Sequence, residues 1–352
     1  MIGVLATAWA LAAIGFTATV LLRLARKPGD RRESRAKILL VRAAEFLTAR
    51  ERSNLGRPLP AGVRCLVLGE QDLGTLPTHS VQLRLTPHGH NRKLALVQAA
   101  LRQHGPVPGE QVIICDADVI VDAALLYGLA KAIEDGVDLA MAAPLPELGD
   151  GTESLLRRFT MASSRGLLAH SAHSFAALAT VDAHAFCGKA IALSPRAVEQ
   201  LLLLEDCIGE DLRLADAVLG TDGRSACIGS PAHTLPSAGL ARFARWQLVL
   251  KAHRPWAFIA GPWFLAPTLP LLGLTLLVRG PLLPLFCALV AVLVASRVVL
   301  ARRLSRRHAW TFILGEALYL AAFATALVIR QVDWRGRTLR PSLGGSLVKV
   351  ES

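Results

Sequence analysis

Aromatic residues are scarce in this chain of 352 residues, at 5% of the sequence, although the formal net charge is +12. Surfaces that bind nucleic acid usually set aromatic side chains among their basic residues, where they stack on bases. Here the basic residues cluster instead at the ends of apolar runs. The sequence therefore argues against a nucleic-acid partner and indicates the anionic lipids of a bilayer.

Cysteine motifs are also missing. The six cysteines form no Cys-x-x-Cys pair and show no Cys/His spacing typical of a metal site. We predict that they are reduced, small core residues. The sequence also lacks an internal repeat, and no signal-peptide cleavage site follows its first apolar segment. That segment is therefore predicted to be retained.

Apolar residues, in contrast, make up 53% of the chain, and the mean hydropathy of +0.43 is too high for a purely soluble protein. The uncharged stretch from Ile2 to Leu22 is long enough for the ~20 residues that cross a hydrocarbon core. Basic residues follow it at once, which places that end in the cytoplasm by the positive-inside rule. Residues 1–24 are thus predicted to be a transmembrane anchor.

Three further apolar stretches follow the polar part of the chain: Trp256 to Val278, Pro281 to Ser296, and Ala309 to Ile329, which carries only Glu316. Prolines in the first of them favour either a broken span or a re-entrant segment. Four arginines precede the last stretch and four follow it, so the positive-inside rule leaves the side of the tail open. We predict an interfacial helix at 246–255, membrane helices at 256–329 and a basic tail at 330–352.

Between these membrane regions, residues 36–245 alternate short β-branched runs with helical patterns, which is typical of an α/β domain. The predicted strands are Ile38 to Val41, Cys65 to Leu68 and Val112 to Cys115, and the predicted helix is Arg92 to Gln103. Strands that alternate with helices favour a mostly parallel sheet. Ligands of such sheets bind beyond the carboxyl ends of the strands.

Asp116 and Asp118 follow the third predicted strand directly. Two carboxylates one residue apart can hold Mg²⁺ or Mn²⁺, whose remaining ligands are then phosphate oxygens and water. Such an ion stabilises a diphosphate leaving group. We predict that Asp118 binds metal and that Asp116 contacts metal or donor. A simple turn at the end of the strand is the alternative.

A second acidic pair, Glu210 and Asp211, follows Gly209 where a helical pattern begins. Transfer with inversion needs a base that deprotonates the attacking hydroxyl, and a carboxylate at the head of a helix suits that role. We assign Asp211 as the candidate base, with Glu210 beside it in a catalytic pair. The alternative is that both residues only favour the positive end of the helix dipole.

Arg242 and Arg245 lie three residues apart, with Trp246 next to the second. Guanidinium groups bind phosphate oxygens in bidentate fashion, and an indole can form the floor of a sugar or lipid-head pocket. The three residues are predicted to bind the donor, and Trp246 the acceptor as well. An interfacial helix anchored by its tryptophan is the other interpretation.

Taken together, several segments resemble the ceramide glucosyltransferase family and its bacterial relatives, including hopanoid-associated glycosyltransferases. The segments are Asn91-Arg92-Lys93, Ile113 to Asp118, Phe186 to Ala190, Glu210-Asp211, Arg242 to Trp246 and Trp334 to Arg337. The resemblance implies a glycosyltransferase A-type, Rossmann-like domain in the cytoplasm, between an N-terminal transmembrane helix and C-terminal membrane helices. It further implies an inverting, metal-dependent transfer of a sugar from a nucleotide to a membrane lipid.

In this resemblance Lys93 approaches the diphosphate, Gly188 belongs to the acceptor loop and Asp211 is the base. The chain departs from the family at its first strand, where Arg42-Ala43-Ala44-Glu45 stands in place of Pro-x-x-Gly. Relatives also place an acidic residue after the second strand, near the base or ribose. Asp72 and Glu70 both qualify, and a solvated turn is the alternative for each.

The leading hypothesis is transfer of a hexose or N-acetylhexosamine from a UDP-sugar to a lipid hydroxyl, with ceramide as the family's default acceptor. A polymerising polysaccharide synthase uses the same motifs but needs more spanning helices than these apolar runs supply. A catalytically degenerate membrane scaffold is the non-enzymatic alternative, and the missing Pro-x-x-Gly motivates it.

Overall fold

The fold is described from a computed structural model, which covers residues 2–25, 36–45, 47–146, 187–235, 240–304, 312–334, 337–342 and 347–349. Its contacts divide the described chain into two compact units. One, the membrane unit, contains the N-terminal helix and the helices from residue 240 to 328. The other, the sheet unit, contains a seven-stranded sheet with its helices. The domain boundaries given above stay predictions.

A mixed, mostly parallel sheet forms the centre of the sheet unit. Its strands are β1 (Lys37–Ala43), β2 (Val63–Leu68), β3 (Ser80–Leu83), β4 (Glu110–Cys115), β5 (Leu139–Pro146), β6 (Ala190–Leu193) and β7 (Ser225–Thr234). Their order is β3-β2-β1-β4-β6-β5-β7. Strand β1 pairs in parallel with β2 and β4, and β2 with β3, whereas β6 is antiparallel to β4 and β5. The predicted fold class and the three predicted strands are confirmed.

Five helices accompany this sheet: α2 (Ala49–Leu55), α3 (Arg92–His104), α4 (Ala123–Glu134), α5 (Pro195–Leu203) and α6 (Glu210–Leu219). The side chains of Asn91, Asp122 and Ser194 cap α3, α4 and α5 by accepting an amide hydrogen bond from the first turn. The predicted helix from Arg92 is therefore confirmed. Helix α6 instead begins after Gly209, whose φ of 71° is left-handed and favours glycine.

A cluster of buried side chains from the strands and from α4 forms a core of this unit. Leu40, Ile113, Leu126 and Leu129 are completely buried there. Four of the six cysteines are also buried, as predicted, but the prediction was wrong for Cys287, which is exposed. Because β1 and β4 are parallel neighbours, their carboxyl ends reach one edge of the sheet. This edge carries the acidic turn that follows β4.

The membrane unit consists of α1 (Ile2–Ala25), α7 (Leu240–His253), α8 (Pro255–Leu265), α9 (Thr268–Leu274), α10 (Leu283–Leu304) and α11 (Phe312–Val328). Among the described residues, α1 and α10 are long and apolar enough to cross a membrane individually. Helices α8 and α9 together pass the same test but bend by 58° at the break between them. Helix α11 is apolar and, at 17 residues, shorter.

Within this unit α1 and α10 run in the same direction. A Cβ placed on Gly3, at the start of α1, would lie 3.4 Å from Leu282, immediately before α10. The first halves of both helices also share one core cluster, formed by Ala6, Ala10, Ala13, Phe286, Val290 and Leu293. The bent pair α8–α9 runs antiparallel to α1. Phe264, in α8, packs on Phe16 in the second half of α1, whereas Val278, which follows α9, lies near Gly3 at the start of α1.

Two buried charged side chains meet at the break between α8 and α9. Glu316, with no exposed surface, accepts hydrogen bonds of 2.8 Å from the amide and the hydroxyl of Thr268. Arg297 donates to the carbonyls of Phe264 and Leu265, and its Nε lies 4.0 Å from Glu316 Oε1. A break inside a bilayer leaves backbone groups without partners. Arg297 and Glu316 supply those partners.

The chain ends in a small sheet of three strands, β8 (Val332–Trp334), β9 (Arg337–Pro341) and β10 (Leu347–Lys349), in the order β10-β9-β8. Strands β9 and β10 are antiparallel.

Candidate active site

The turn after β4 places Asp116 and Asp118 at the carboxyl edge of the sheet. Two side chains hold the backbone of this turn from the core side. Arg42 donates to the carbonyls of Asp116, Ala117 and Val119 at 3.4, 3.1 and 2.7 Å. Asn54 donates to the carbonyls of Ala117 and Val119, both at 2.8 Å. The acidic turn is thus fixed before any ligand binds.

Arg42 explains the departure from the family pattern at the first strand. Its side chain is buried, and burial lowers the pKa of its guanidinium although Asp118 and Asp116 lie nearby. Glu45, also buried, forms a 2.6 Å ion pair with Arg92 at the start of α3. Both residues therefore stabilise this edge of the sheet by polar contacts inside the protein.

Two lysines bind the acidic turn. Lys93 Nζ lies 2.7 Å from Asp116 Oδ1 and 3.3 Å from Glu210 Oε1, and it donates to the carbonyl of Gly188 at 3.0 Å. Lys189 Nζ lies 2.8 Å from Asp116 Oδ2 and 2.8 Å from both carboxylate oxygens of Asp118. The structure thus joins the predicted residues of four separate motifs, together with a lysine that the sequence did not single out.

These ion pairs control the protonation of the cluster. Burial alone would raise the pKa of Asp116, but Lys189 and Lys93 outweigh it and hold this pKa well below its usual value. Burial would likewise lower the pKa of Lys93, but Asp116 and Glu210 outweigh it and raise this pKa. Asp116 is therefore a carboxylate and Lys93 an ammonium group at neutral pH.

Asp211 lies in the first turn of α6, beside the same cluster. Its Oδ2 accepts a 2.7 Å hydrogen bond from the amide of Gly188, and its Oδ1 accepts one of 3.0 Å from Leu212. Burial and the neighbouring charge of Glu210 raise the pKa of Asp211 to about 6. A carboxylate whose pKa is raised toward neutrality is a stronger base than an ordinary aspartate.

Gly188 makes a close approach to this base. A Cβ at position 188 would lie 3.1 Å from Asp211 Cβ and 3.3 Å from its Oδ2, tighter than nearly all real Cβ contacts. A larger residue would therefore displace the carboxylate. The resemblance assigns Gly188 to the acceptor loop, and the geometry adds contact with the candidate base.

Asn91 and Asp206 connect α3 to α6. Asn91 Nδ2 donates to Glu210 Oε2 and to the carbonyl of Cys207, both at 2.9 Å. The Asp206 carboxylate accepts hydrogen bonds from the amides of His90 and Asn91 at 2.6 and 2.7 Å. An anion at this position suits the positive end of α3. Asp206 gave no sequence signal because it is one of several acidic residues without a spacing pattern.

Comparison with known families identifies the chain. Residues 75–347 match the profile of glycosyl transferase family 21, the ceramide glucosyltransferase family. The chain belongs to this family. It is accordingly a glycosyltransferase. The match begins after β2, so the strand with the unusual Arg42 lies outside it.

Among solved structures, the mannosyltransferase PcManGT from Pyrobaculum calidifontis, in complex with GDP-Man and Mn²⁺, is similar to this family 21 chain. The identity is 17% and the TM-score 0.45, and the similarity covers 92% of this chain and 99% of that one. No curated protein sequence matches the chain.

The acidic turn of this family 21 protein carries residues of the type that binds divalent ions. Both ligand candidates are carboxylates, and Asp116 is ionised because of its lysine partners. Among the residues that the structure describes, no group of three or more His, Cys, Asp or Glu side chains could hold a metal ion. Mg²⁺ in nucleotide sites is commonly bound by one or two carboxylates plus phosphate oxygens. Asp116 and Asp118 fit that arrangement.

The remaining predicted residues, Asp72 and the basic-aromatic group, have local contacts of their own. Asp72 is an exposed turn residue 2.5 Å from Arg84, and the amide of Gly74 and that arginine lower its pKa. Arg242, Arg245 and Trp246 belong to α7 in the membrane unit, and the side chain of Arg242 lies outside the described part. Trp246 packs edge to face on Phe243 at 5.1 Å. The proposed donor and acceptor contacts of these residues stay predictions.

Proposed function

We propose that this glycosyltransferase moves a hexose or N-acetylhexosamine from a UDP-sugar to a lipid hydroxyl, with inversion and with a divalent metal ion. The observation that carries the proposal is the carboxylate of Asp211, which the amides of Gly188 and Leu212 hold in place and whose raised pKa suits a base. Asp211 lies beside the cluster of lysines and carboxylates. The amide of Gly188 donates to Asp211, and the carbonyl of Gly188 accepts a hydrogen bond from Lys93.

The donor binds at the carboxyl edge of the sheet. Asp116 and Asp118 would hold Mg²⁺ or Mn²⁺, and such an ion would neutralise the charge that grows on the leaving diphosphate. Lys93 lies next to Asp116 and adds a fixed positive charge for the same phosphates. Glu210 and Asn91 orient Lys93 and the start of α6 through their shared hydrogen bond. Asp72 contributes at the ribose or base.

Asp211 removes the proton from the attacking hydroxyl as the acceptor oxygen approaches the anomeric carbon. The amides of Gly188 and Leu212 fix the orientation of its carboxylate through hydrogen bonds of 2.7 and 3.0 Å. The acceptor is a hydroxylated membrane lipid of the ceramide type, and Gly188 and Trp246 are its proposed acceptor-side residues. Arg242 and Arg245 bind donor phosphate.

The parallel course of α1 and α10 supports one orientation in the membrane. Basic residues follow α1 and also end α10 at Arg302, so both basic clusters lie at one end of the helices. The positive-inside rule places that end in the cytoplasm. The bent pair α8–α9 then crosses as a broken span. The catalytic domain faces the cytoplasm of the bacterial inner membrane.

In this arrangement both ends of helix α11 lie on the same side of the membrane. Phe312, its first residue, packs with Ala301 near the end of α10, and Phe323 packs on Phe258 near the start of α8. Lys251 of α7 donates to the carbonyl of Ala326. Helix α11 therefore does not cross, and the basic tail stays cytoplasmic. A polymerising synthase is disfavoured because at most three spans occur among the described helices.

The test is release of UDP by detergent-purified, full-length protein with Mn²⁺ or Mg²⁺. UDP-glucose, UDP-galactose and UDP-N-acetylglucosamine are each compared with and without ceramide and a bacterial lipid extract. Release from one donor that depends on lipid and on metal supports the proposal and names the sugar. The Asp118→Ala variant should show weaker metal-dependent UDP binding. Absence of UDP release and of UDP binding in folded wild-type protein would contradict the proposal and favour the scaffold.

A further inference from the structure

Lys189 holds the position between the two carboxylates of the acidic turn. Its ammonium group touches three carboxylate oxygens, one of Asp116 and two of Asp118, all at 2.8 Å. Both Lys189 and Asp118 are buried. A cation that bridges Asp116 and Asp118 would need the same oxygens.

Lys93 differs from Lys189 in its other partners. It keeps Glu210 at 3.3 Å and the carbonyl of Gly188 at 3.0 Å, so it has ligands outside the acidic turn. The described contacts of the Lys189 ammonium are with the acidic turn itself. When a divalent ion binds the turn, Lys189 is therefore the lysine whose contacts are lost.

The charges of Asp116 and Asp118 explain why a cation lies between their carboxylates. Two neighbouring carboxylates, of which Asp118 is buried and Asp116 partly exposed, repel each other and are unfavourable without a counter-ion. Lys189 supplies that counter-ion within the protein. A divalent ion and the ammonium group cannot both take the oxygens of Asp118, because like charges at such distances repel.

The side chain of Lys189 can move without the backbone. Its carbonyl accepts a 3.0 Å hydrogen bond from the amide of Asp116, and β6 begins at the next residue. The backbone is thus fixed to the acidic turn, while four flexible methylene groups carry the ammonium. An ammonium group released from Asp118 stays within a side-chain length of any phosphate bound at the turn.

We propose that Lys189 is a built-in counter-ion that occupies the cation position before the donor binds and transfers to the donor diphosphate when metal and donor bind. This inference rests on the metal-dependent donor site proposed above and adds a residue to it. Lys189 thereby weakens metal binding in the absence of nucleotide and strengthens nucleotide binding in the presence of metal. Removal of its charge should therefore change these two affinities in opposite directions.

The first experiment measures Mn²⁺ binding without nucleotide, by electron paramagnetic resonance of free Mn²⁺, on the full-length protein in detergent. Lys189→Met should bind Mn²⁺ more tightly than wild type, on the order of tenfold, because a competing charge is gone. Lys131→Met is the matched control, since it removes a lysine 2.5 Å from the exposed carboxylate of Asp135. Its Mn²⁺ affinity should equal that of wild type.

The second experiment titrates UDP by calorimetry at saturating Mn²⁺. Lys189→Met should bind UDP more weakly than wild type, by roughly tenfold, because a charge-assisted contact to phosphate is lost. A lysine with only a structural role would leave this affinity unchanged. If the methionine variant does not fold, Lys189→Gln takes its place, since glutamine is neutral but still donates hydrogen bonds to the carboxylates.

The outcomes separate this inference from the proposed function. Unchanged or weaker Mn²⁺ binding in the folded variant, with Mn²⁺-dependent UDP binding in wild type, overturns the Lys189 inference alone. Tighter Mn²⁺ binding with unchanged UDP affinity overturns the transfer to the diphosphate. UDP binding by wild type that does not depend on Mn²⁺ contradicts the metal in the proposed function, and the Lys189 inference with it.

Discussion

Two groups of buried charged side chains in this protein differ in what they bind. In the sheet unit, Lys93 and Lys189 pair with the carboxylates of a turn, and the side chains of Lys93 and Asp116 keep 18% and 24% of their surface exposed. In the membrane unit, Arg297 and Glu316 keep 5% and none, and they bind backbone groups at a helix break. The group in the sheet unit is thus partly open to solvent, whereas the group in the membrane unit is covered and bound to main-chain groups.

The comparison teaches that burial of charge alone does not mark a catalytic site. Both groups combine a cation with a carboxylate that the surroundings cover. The two groups differ in their exposure to solvent and in their partners. The partners are side chains at the edge of the sheet and main-chain groups at the helix break. The following tests examine each side of this difference.

Replacement of the candidate base should have the largest effect on activity. Asp211→Asn keeps the size of the side chain and removes its basicity, so turnover should fall by about 10²–10⁴. Folding and Mn²⁺-dependent UDP binding should persist. Transfer rates are measured by UDP release with saturating lipid, and UDP affinity by calorimetry. Turnover close to that of wild type would remove Asp211 from the role of base.

Replacement of the arginine at the helix break should affect stability and leave chemistry intact. Arg297→Met leaves Glu316 buried without its counter-ion, a change that typically costs about 3–5 kcal/mol. We expect a large drop in the thermal unfolding midpoint in detergent, with unchanged turnover per folded molecule. The double variant with Glu316→Gln should recover part of the loss. An unchanged midpoint would mean that the pair does not stabilise the break.

A single methyl group next to the base should cost less. Gly188→Ala places a Cβ 3.1 Å from Asp211 Cβ and shifts the carboxylate, so we expect turnover to fall by roughly tenfold. The apparent affinity for donor should change little. Gly56→Ala is the matched control, because its nearest neighbour would be an ordinary 3.5 Å contact. Equal rates for both variants would show that the contact at Gly188 does not position the base.

The pH dependence should be the mildest change. Because the pKa of Asp211 is raised to about 6, its basic form is lost as the pH falls through 6, and kcat/KM should decline there. Folding stability depends on pH in the opposite direction. The folded protein favours the protonated form of Asp211, so this contribution to the free energy of unfolding is lost as the pH rises through 6. Glu210→Gln removes a charge that raises this pKa and should move the decline to lower pH. A profile flat from pH 5 to 8 would contradict the assignment.

Much of the fold was predictable from local patterns. The strands at Ile38, Cys65 and Val112 and the helix at Arg92 follow from β-branched runs and helical periodicity, and the structure confirms them. The bend between α8 and α9 agrees with the prolines of that stretch. Strand order and the antiparallel insertion of β6 beside β4 were not predictable, because pairing between distant segments leaves no local signal.

The site shows the same division. The sequence by itself determined which residues carry charge and which precede or follow a strand or helix, and so it pointed to Asp116, Asp118 and Asp211. Only the tertiary structure decided that Lys189 bridges the first two, that Arg42 supports their turn, and that Gly188 lies against the base. The physical reason is that residue type and local periodicity are properties of short segments. Ion pairs, pKa shifts and close approaches depend instead on distances between segments that only the folded chain brings together.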